Sequence, residues 1–165
     1  MRLIQKNAEG TIDAKSRVSM PTRFRSCFEE DANLVLWFPF GEKFPYLILA
    51  DETVFRKIKK REYARAPQEK RSEVNRLFNA YSESVALDKN ARFVIPPAFM
   101  ERSKLECEKK AFYVGQDTHL EIWALDVWKE REQAFMAGIF SGQSMCPINF
   151  APEPSDLEED EEGEI

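Results

Sequence analysis

The sequence predicts an α+β fold made of two copies of one β-rich module, with helices lying against or outside them. Three observations carry that expectation. Residues 11–25 and 86–100 match each other as sequences. Within each copy, apolar residues alternate with a period of two, the mark of a half-buried strand. Downstream, apolar residues recur three and four apart, the mark of a helix face.

The first copy reads Thr-Ile-Asp13-Ala-Lys15-Ser16-Arg17-Val18-Ser-Met20-Pro21-Thr-Arg23-Phe24-Arg25, and the second Ala-Leu-Asp88-Lys-Asn90-Ala91-Arg92-Phe93-Val-Ile95-Pro96-Pro-Ala-Phe99-Met100. In each, a short strand ends at the Asp and a tight turn follows. The next strand places Val18 and Met20, or Phe93 and Ile95, on one face. Pro21 and Pro96 end that strand and suit the first position of a short helix, where no amide hydrogen is needed. Phe24 and Phe28, four apart, would share a face of the first such helix. A second hairpin is expected from residues 34–37 with 46–49, and from 111–114 with 120–123. A longer amphipathic helix closes each copy, through Val54, Phe55 and Ile58 in the first and Val127, Trp128, Phe135 and Met136 in the second. Ala66-Pro67 breaks the chain between them, and Val74, Leu77, Phe78 and Tyr81 form a stripe on a connecting helix. The expected units are therefore 1–66, a connecting helix at 67–81, 82–140, and an extension at 141–165.

Hydrophobic content of 43% with 13 phenylalanines suffices for a core and excludes wholesale disorder. No run approaches the roughly 18 apolar residues of a membrane span, and the first residues turn polar too soon for a signal peptide. Cys27, Cys107 and Cys146 are odd in number and unpaired in spacing, as in a reducing compartment. The expectation is a cytoplasmic chain. Residues 151–165 hold eight acids and no base, leaving 21 acids against 24 bases elsewhere, a balance of +3. Such a block is self-repelling and reads as a disordered tail.

Catalysis has little support. His119 is the single histidine, and no nucleophile motif accompanies it. Ligand spacing for a metal and a phosphate-cradling glycine loop are both lacking, so no cofactor is expected. Asp13 and Asp88 each have an arginine close in sequence, which would keep them ionised, the wrong tuning for a general acid. Five bases in six residues, Arg56 to Arg61, read first as a solvated helix face and second as a phosphate-contacting stripe. The aromatics Trp37, Phe38, Phe40, Phe44 and Tyr46 read mainly as core, with part suited to a subunit contact.

The repeated turn is the chemically suggestive feature. An Asp opening a tight turn can accept from amides at its tip. The same carboxylate could brace an Arg four residues on, and a braced guanidinium suits bidentate contact with guanine or phosphate. The plain structural reading is that the pair simply staples the turn. Two Asp-x-x-x-Arg turns, each followed by apolar-x-apolar-Pro and a second hairpin, resemble the MraZ family over about residues 1–140. That resemblance implies two fused AbrB-like modules of swapped-hairpin barrel type, a homo-oligomeric ring of about eight subunits, and no membrane. It further implies a nucleoid-associated regulator of transcription, binding direct repeats of double-stranded DNA upstream of its own division and cell-wall gene cluster. The DNA-contacting residues would be Asp13, Lys15, Arg17, Asp88 and Arg92, with Arg23 and Arg25 as further candidates. The family usually has glycine before the Arg, where this chain has Ser16 and Ala91. Holding either in a left-handed conformation would cost on the order of 1–2 kcal/mol, so either the turn differs or, in the second copy, Asn90 takes over that role. The competing reading is a ring-forming scaffold with weak or no DNA binding.

Overall fold

The computed structural model describes residues 3–28 and 31–141. The acidic block at 151–165 and Cys146 lie outside the described residues. The first copy forms β1 (Asn7–Thr11), β2 (Arg17–Ser19), α1 (Thr22–Arg25), β3 (Leu34–Trp37), β4 (Leu47–Asp51) and α2 (Glu52–Arg65). After the connecting α3 (Arg71–Ala80), the second forms β5 (Ser82–Val85), β6 (Arg92–Val94), α4 (Pro97–Ser103), β7 (Lys110–Gly115), β8 (Leu120–Ala124) and α5 (Leu125–Ser141). The architecture is α+β, and the sheets are antiparallel throughout.

The two copies do not build separate sheets. One six-stranded sheet runs in the order β1-β7-β8-β4-β3-β5, and β2 pairs with β6 in a separate ribbon. The leading strand of each copy is hydrogen-bonded to the hairpin of the other: β1 to β7, and β5 to β3. The order is unchanged when the copies are exchanged. At the ribbon the equivalent residues Val18 and Phe93 face each other. In the central β4–β8 pair, Ile48 faces Glu121. A pseudo-twofold axis thus passes through both sheets.

Period-two burial explains the register. Val18, Met20 and Ile95 are fully buried and Phe93 nearly so, while Ser19 and Val94 face out. A one-residue slip would turn all four apolar side chains into water. Leu34, Leu36, Leu47, Leu49, Leu120, Ile122 and Tyr113 fill one side of the large sheet. On the other, Trp37 meets Phe55 of α2 and Trp123 meets Trp128 of α5. Asp51 caps α2, its carboxylate accepting from the Val54 amide at 2.9 Å.

Several local expectations shift. Pro21 and Pro96 occupy the cap position with extended ψ, and Pro97 takes the first helical position of α4. Helix α1 closes at Arg25, so Phe28 lies beyond it and is half-buried rather than stacked on Phe24. Val127 of α5 is buried, but Phe135 and Met136 are 52% and 54% exposed, because the helix runs past the sheet that would cover them. The Trp37–Tyr46 aromatics are core: Trp37, Phe38 and Tyr46 are buried, and Phe40 packs on Phe38 and Tyr81.

The ribbon register predicts opposite outcomes for adjacent residues. Phe93→Ala should cost about 3–5 kcal/mol, whereas Val94→Ala, on the outer face, should stay within ~0.5 kcal/mol. Denaturant unfolding of the two variants checks this; equal losses would contradict the register.

Candidate nucleic-acid interface

Both Asp-x-x-x-Arg segments fold into the same turn. The Ser16 amide donates to the Asp13 carbonyl at 3.1 Å and the Asp13 amide to the Arg17 carbonyl at 3.1 Å. The second loop repeats these bonds, Ala91 to Asp88 at 3.0 Å and Asp88 to Arg92 at 2.8 Å. Asp13 Oδ1 accepts from the amides of Lys15 and Arg17 at 2.8 and 2.9 Å, and Oδ2 accepts from Arg17 Nε at 2.7 Å. Asp88 does the same with Asn90, Arg92 and Arg92 Nε at 2.8, 2.9 and 2.9 Å. Each carboxylate therefore satisfies the turn and orients the arginine at once. The ion pair uses Nε, which leaves the four Nη hydrogens for another acceptor.

The turn keeps its left-handed residue without glycine. Ser16 has φ 60° and Ala91 φ 56°. The left-handed conformation sits at the residue before each arginine, and Asn90 does not take it over: it is absent from the residues of positive φ. The strain, on the order of 1–2 kcal/mol per residue, is held by surrounding bonds. Met20 donates to the Ala91 carbonyl at 2.8 Å and Ile95 to the Ser16 carbonyl at 3.0 Å. Each strained residue is thereby tied to the other copy's strand. Ser16 Oγ also meets Cys107 Sγ at 3.4 Å.

Antiparallel pairing of β2 with β6 sets the two loops side by side. Arg17 opposes Val94 and Arg92 opposes Ser19. The arginines are diagonal neighbours on the outer face, about 7–8 Å apart at the backbone. Their side chains are similarly accessible, 35% and 33%. Lys15 is exposed on the first tip and Lys89 on the second. Lys89 escaped the sequence reading because it stands one position earlier than Lys15 in its loop; its signal was a lysine within both turns. Arg23 and Arg25 are engaged elsewhere: Arg23 Nη1 donates to the Asn7 carbonyl, and Arg25 Nε to the Met20 carbonyl at 2.9 Å.

Backbone hydrogen bonding from Arg17, reinforced by its side chain and by the Lys15 amide, holds the Asp13 carboxyl below the ordinary 3.8 despite some desolvation. Asp88 is held down in the same way, first by the Arg92 amide. Both stay ionised, and the outer face keeps its arginine forks braced. Burial pushes His119 down to about 3, its Nδ1 lying 3.0 Å from Thr118 Oγ1. That imidazole packs inside the fold, away from the ribbon's outer face. Among the described residues no three His, Cys, Asp or Glu groups converge as a metal site would require.

A family model described as MraZ protein, antitoxin-like, matches residues 78–142. Proteins named transcriptional regulator MraZ from Pseudomonas putida and Pseudomonas aeruginosa are each 31% identical over 131 residues, 78% of this chain and 85% of theirs. The protein of that name from Pseudomonas fluorescens is 30% identical over the same shares.

Two predictions follow from the loop geometry. Ser16→Gly should remove the left-handed strain and raise stability by on the order of 0.5–1 kcal/mol, net of the extra freedom glycine adds to the unfolded chain. Ala91→Gly should gain less, because its methyl packs against the core. Thermal denaturation reads both, and a loss of stability for Ser16→Gly would refute the strain. A folded-state carboxyl pKa that is depressed contributes stability above the unfolded value, and that contribution is lost as pH falls through the folded one. Carboxyl NMR should accordingly find Asp13 and Asp88 titrating below 3.8; Asp13→Asn should abolish the first of these acid-side losses.

Proposed function

The chain belongs to the MraZ family, and from that premise we propose a DNA-binding transcriptional regulator that grips duplex DNA with its two Asp-x-x-x-Arg loops. The observation that carries this reading is the shared outer face of β2 and β6, where both arginines stand braced and partly exposed. A guanidinium held through Nε presents its Nη pair outward, the fork that suits guanine O6 and N7 or a phosphate. Lys15 and Lys89 add charge to the tips and suit phosphate contacts. Asp13 and Asp88 position; the cations touch. Arg23 and Arg25, each already donating to a carbonyl, are secondary candidates.

In this reading the subunits form a closed ring of about eight, through a heterologous interface whose rotation closes. Adjacent subunits then present identically oriented loops to direct repeats in the promoter of the chain's own division and cell-wall gene cluster. Weak contacts multiply through effective concentration. The exposed Phe135 and Met136 of α5 are apolar surface available for such a contact. No described helix is long and apolar enough to cross a membrane. The scaffold reading draws on the missing glycines, the acidic block at 151–165 and the low charge of the rest; the positive φ of Ser16 and Ala91 weakens the first of these.

Arg17→Ala should cost on the order of 1–3 kcal/mol per engaged loop if it reads a base edge, and more in the assembled ring. Lys15→Ala should weaken all sequences alike and flatten the salt dependence. Arg92→Ala should be milder than Arg17→Ala, since Arg23 and Arg25 follow the first loop where Ala98 and Met100 follow the second; Lys15 and Lys89 do not distinguish the two. Titration against the operon's own promoter at two salt concentrations, with native mass recorded for each variant, tests all three. No loss from either arginine with assemblies intact would move the function to the scaffold reading, and a clean monomer would end the ring.

A further inference from the structure

Away from the ribbon, the α2–α3 helical pair carries a second cationic surface that the loops do not use. Residues 52–76 hold nine bases against four acids. Arg56, Lys59, Lys60 and Tyr63 recur at the three- and four-residue spacing of one α2 face. With Asn75 of α3 they line a shallow groove of about 240 Å³. Arg56, Arg61, Arg65 and Arg76 pair with Glu52, Glu62 or Glu73, but the lysines of the face are not neutralised. Lys59 Nζ donates to the neutral Asn79 Oδ1 at 2.7 Å. Lys57 and Lys60 have no ion-pair partner among the described residues, and Lys60 is exposed. The Arg56–Glu52 pair is open to water, where it contributes little. Arg71 from α3 lies 5.5 Å over the Tyr63 ring and adds a further cation beside the groove.

We propose that this face is the docking site for the chain's own acidic segment, residues 151–165. The two charge runs are opposite in sign and equal in number of charges. Arg56 to Arg61 places five bases in six residues, and Glu158-Glu159-Asp160-Glu161-Glu162 places five acids in succession. One α2 stripe from Arg56 to Tyr63 is about 10 Å long, the span of three or four extended residues. That suits a short acidic peptide and is small for a duplex, which is gripped over many phosphates. Residues 142–165 reach up to ~80 Å when extended, against a radius of gyration near 14 Å for a body of this size. Tethering at that range supplies an effective concentration in the millimolar regime for short linkers. The segment thereby cancels charge that would otherwise attract nucleic acid without regard to sequence, leaving the braced loops as the exposed cationic site.

Zero-length carbodiimide cross-linking of the full-length protein, followed by peptide mass analysis, tests this directly. The expected result is amide bonds from Lys57, Lys59 or Lys60 to the carboxylates of 153–164. Their yield should fall several-fold between low salt and 0.5 M salt, roughly the range over which surface attraction is screened. Deleting 151–165 should raise acetylation of Lys60 several-fold and leave Lys15 and Lys89 unchanged. Mixing isotopically heavy and light chains identifies whether the segment docks on its own subunit or a neighbour; either supports the assignment. Cross-links confined to Lys15 or Lys89 would overturn it, as would none above the high-salt background. Displacement of the α2 cross-links by saturating duplex DNA would assign the face to nucleic acid instead.

Discussion

The pairing of β2 with β6 is the constraint on which the rest of the molecule depends. It is three residues long, yet it joins the two copies at the residues that matter. Val18 and Phe93 meet at the pseudo-twofold axis and anchor the ribbon in the core. Their neighbours Arg17 and Arg92 are turned outward by the same pleat. Beyond the strand ends, the Met20–Ala91 and Ile95–Ser16 hydrogen bonds tie each strained turn to the opposite copy. The strand exchange between β1 and β7, and between β5 and β3, makes the arrangement obligatory. Neither copy completes its sheet alone.

Within each loop one carboxylate does two jobs that usually compete. An Asp at a turn satisfies amides, and an Asp beside an Arg neutralises it. Here Oδ1 takes the amides and Oδ2 takes Nε, so the terminal nitrogens remain available. The ion pair is partly exposed and is a weak stability device; a guanidinium braced in this way would lose less freedom on engaging a target. Net charge is a poor guide to this chemistry. The overall −5 is set by the block at 151–165, while the cations gather on the ribbon and on α2 and α3.

Much of this was legible from the residues. The Asp, Arg, Pro and Phe repeat located both loops, and period-two alternation assigned Val18, Met20, Phe93 and Ile95 to the core. The two long hairpins and the closing helices follow from local patterning as well. The cross-copy pairing was not legible, because register between strands roughly 50 to 100 residues apart leaves no local signal. Nor was the conformation of Ser16 and Ala91: a non-glycine residue at positive φ is decided by the bonds around it. The exposed half of α5 reads as amphipathic in sequence and lacks a sheet beneath it in the fold. The carbonyl partners of Arg23 and Arg25, on Asn7 and Met20, left no trace in the sequence either.

Acting as one reader on one ribbon, the two loops should be energetically coupled. A double-mutant cycle of Arg17→Ala and Arg92→Ala, measured as affinity for the operon promoter with oligomeric state held constant, tests it most directly. If the two forks on the rigid ribbon engage the duplex in a single pose, losing one should weaken the other's contact. The double loss should depart from the sum of the single losses by at least about 0.5 kcal/mol. Additive losses within about 0.3 kcal/mol would mean that the loops bind independently, and would contradict the coupling.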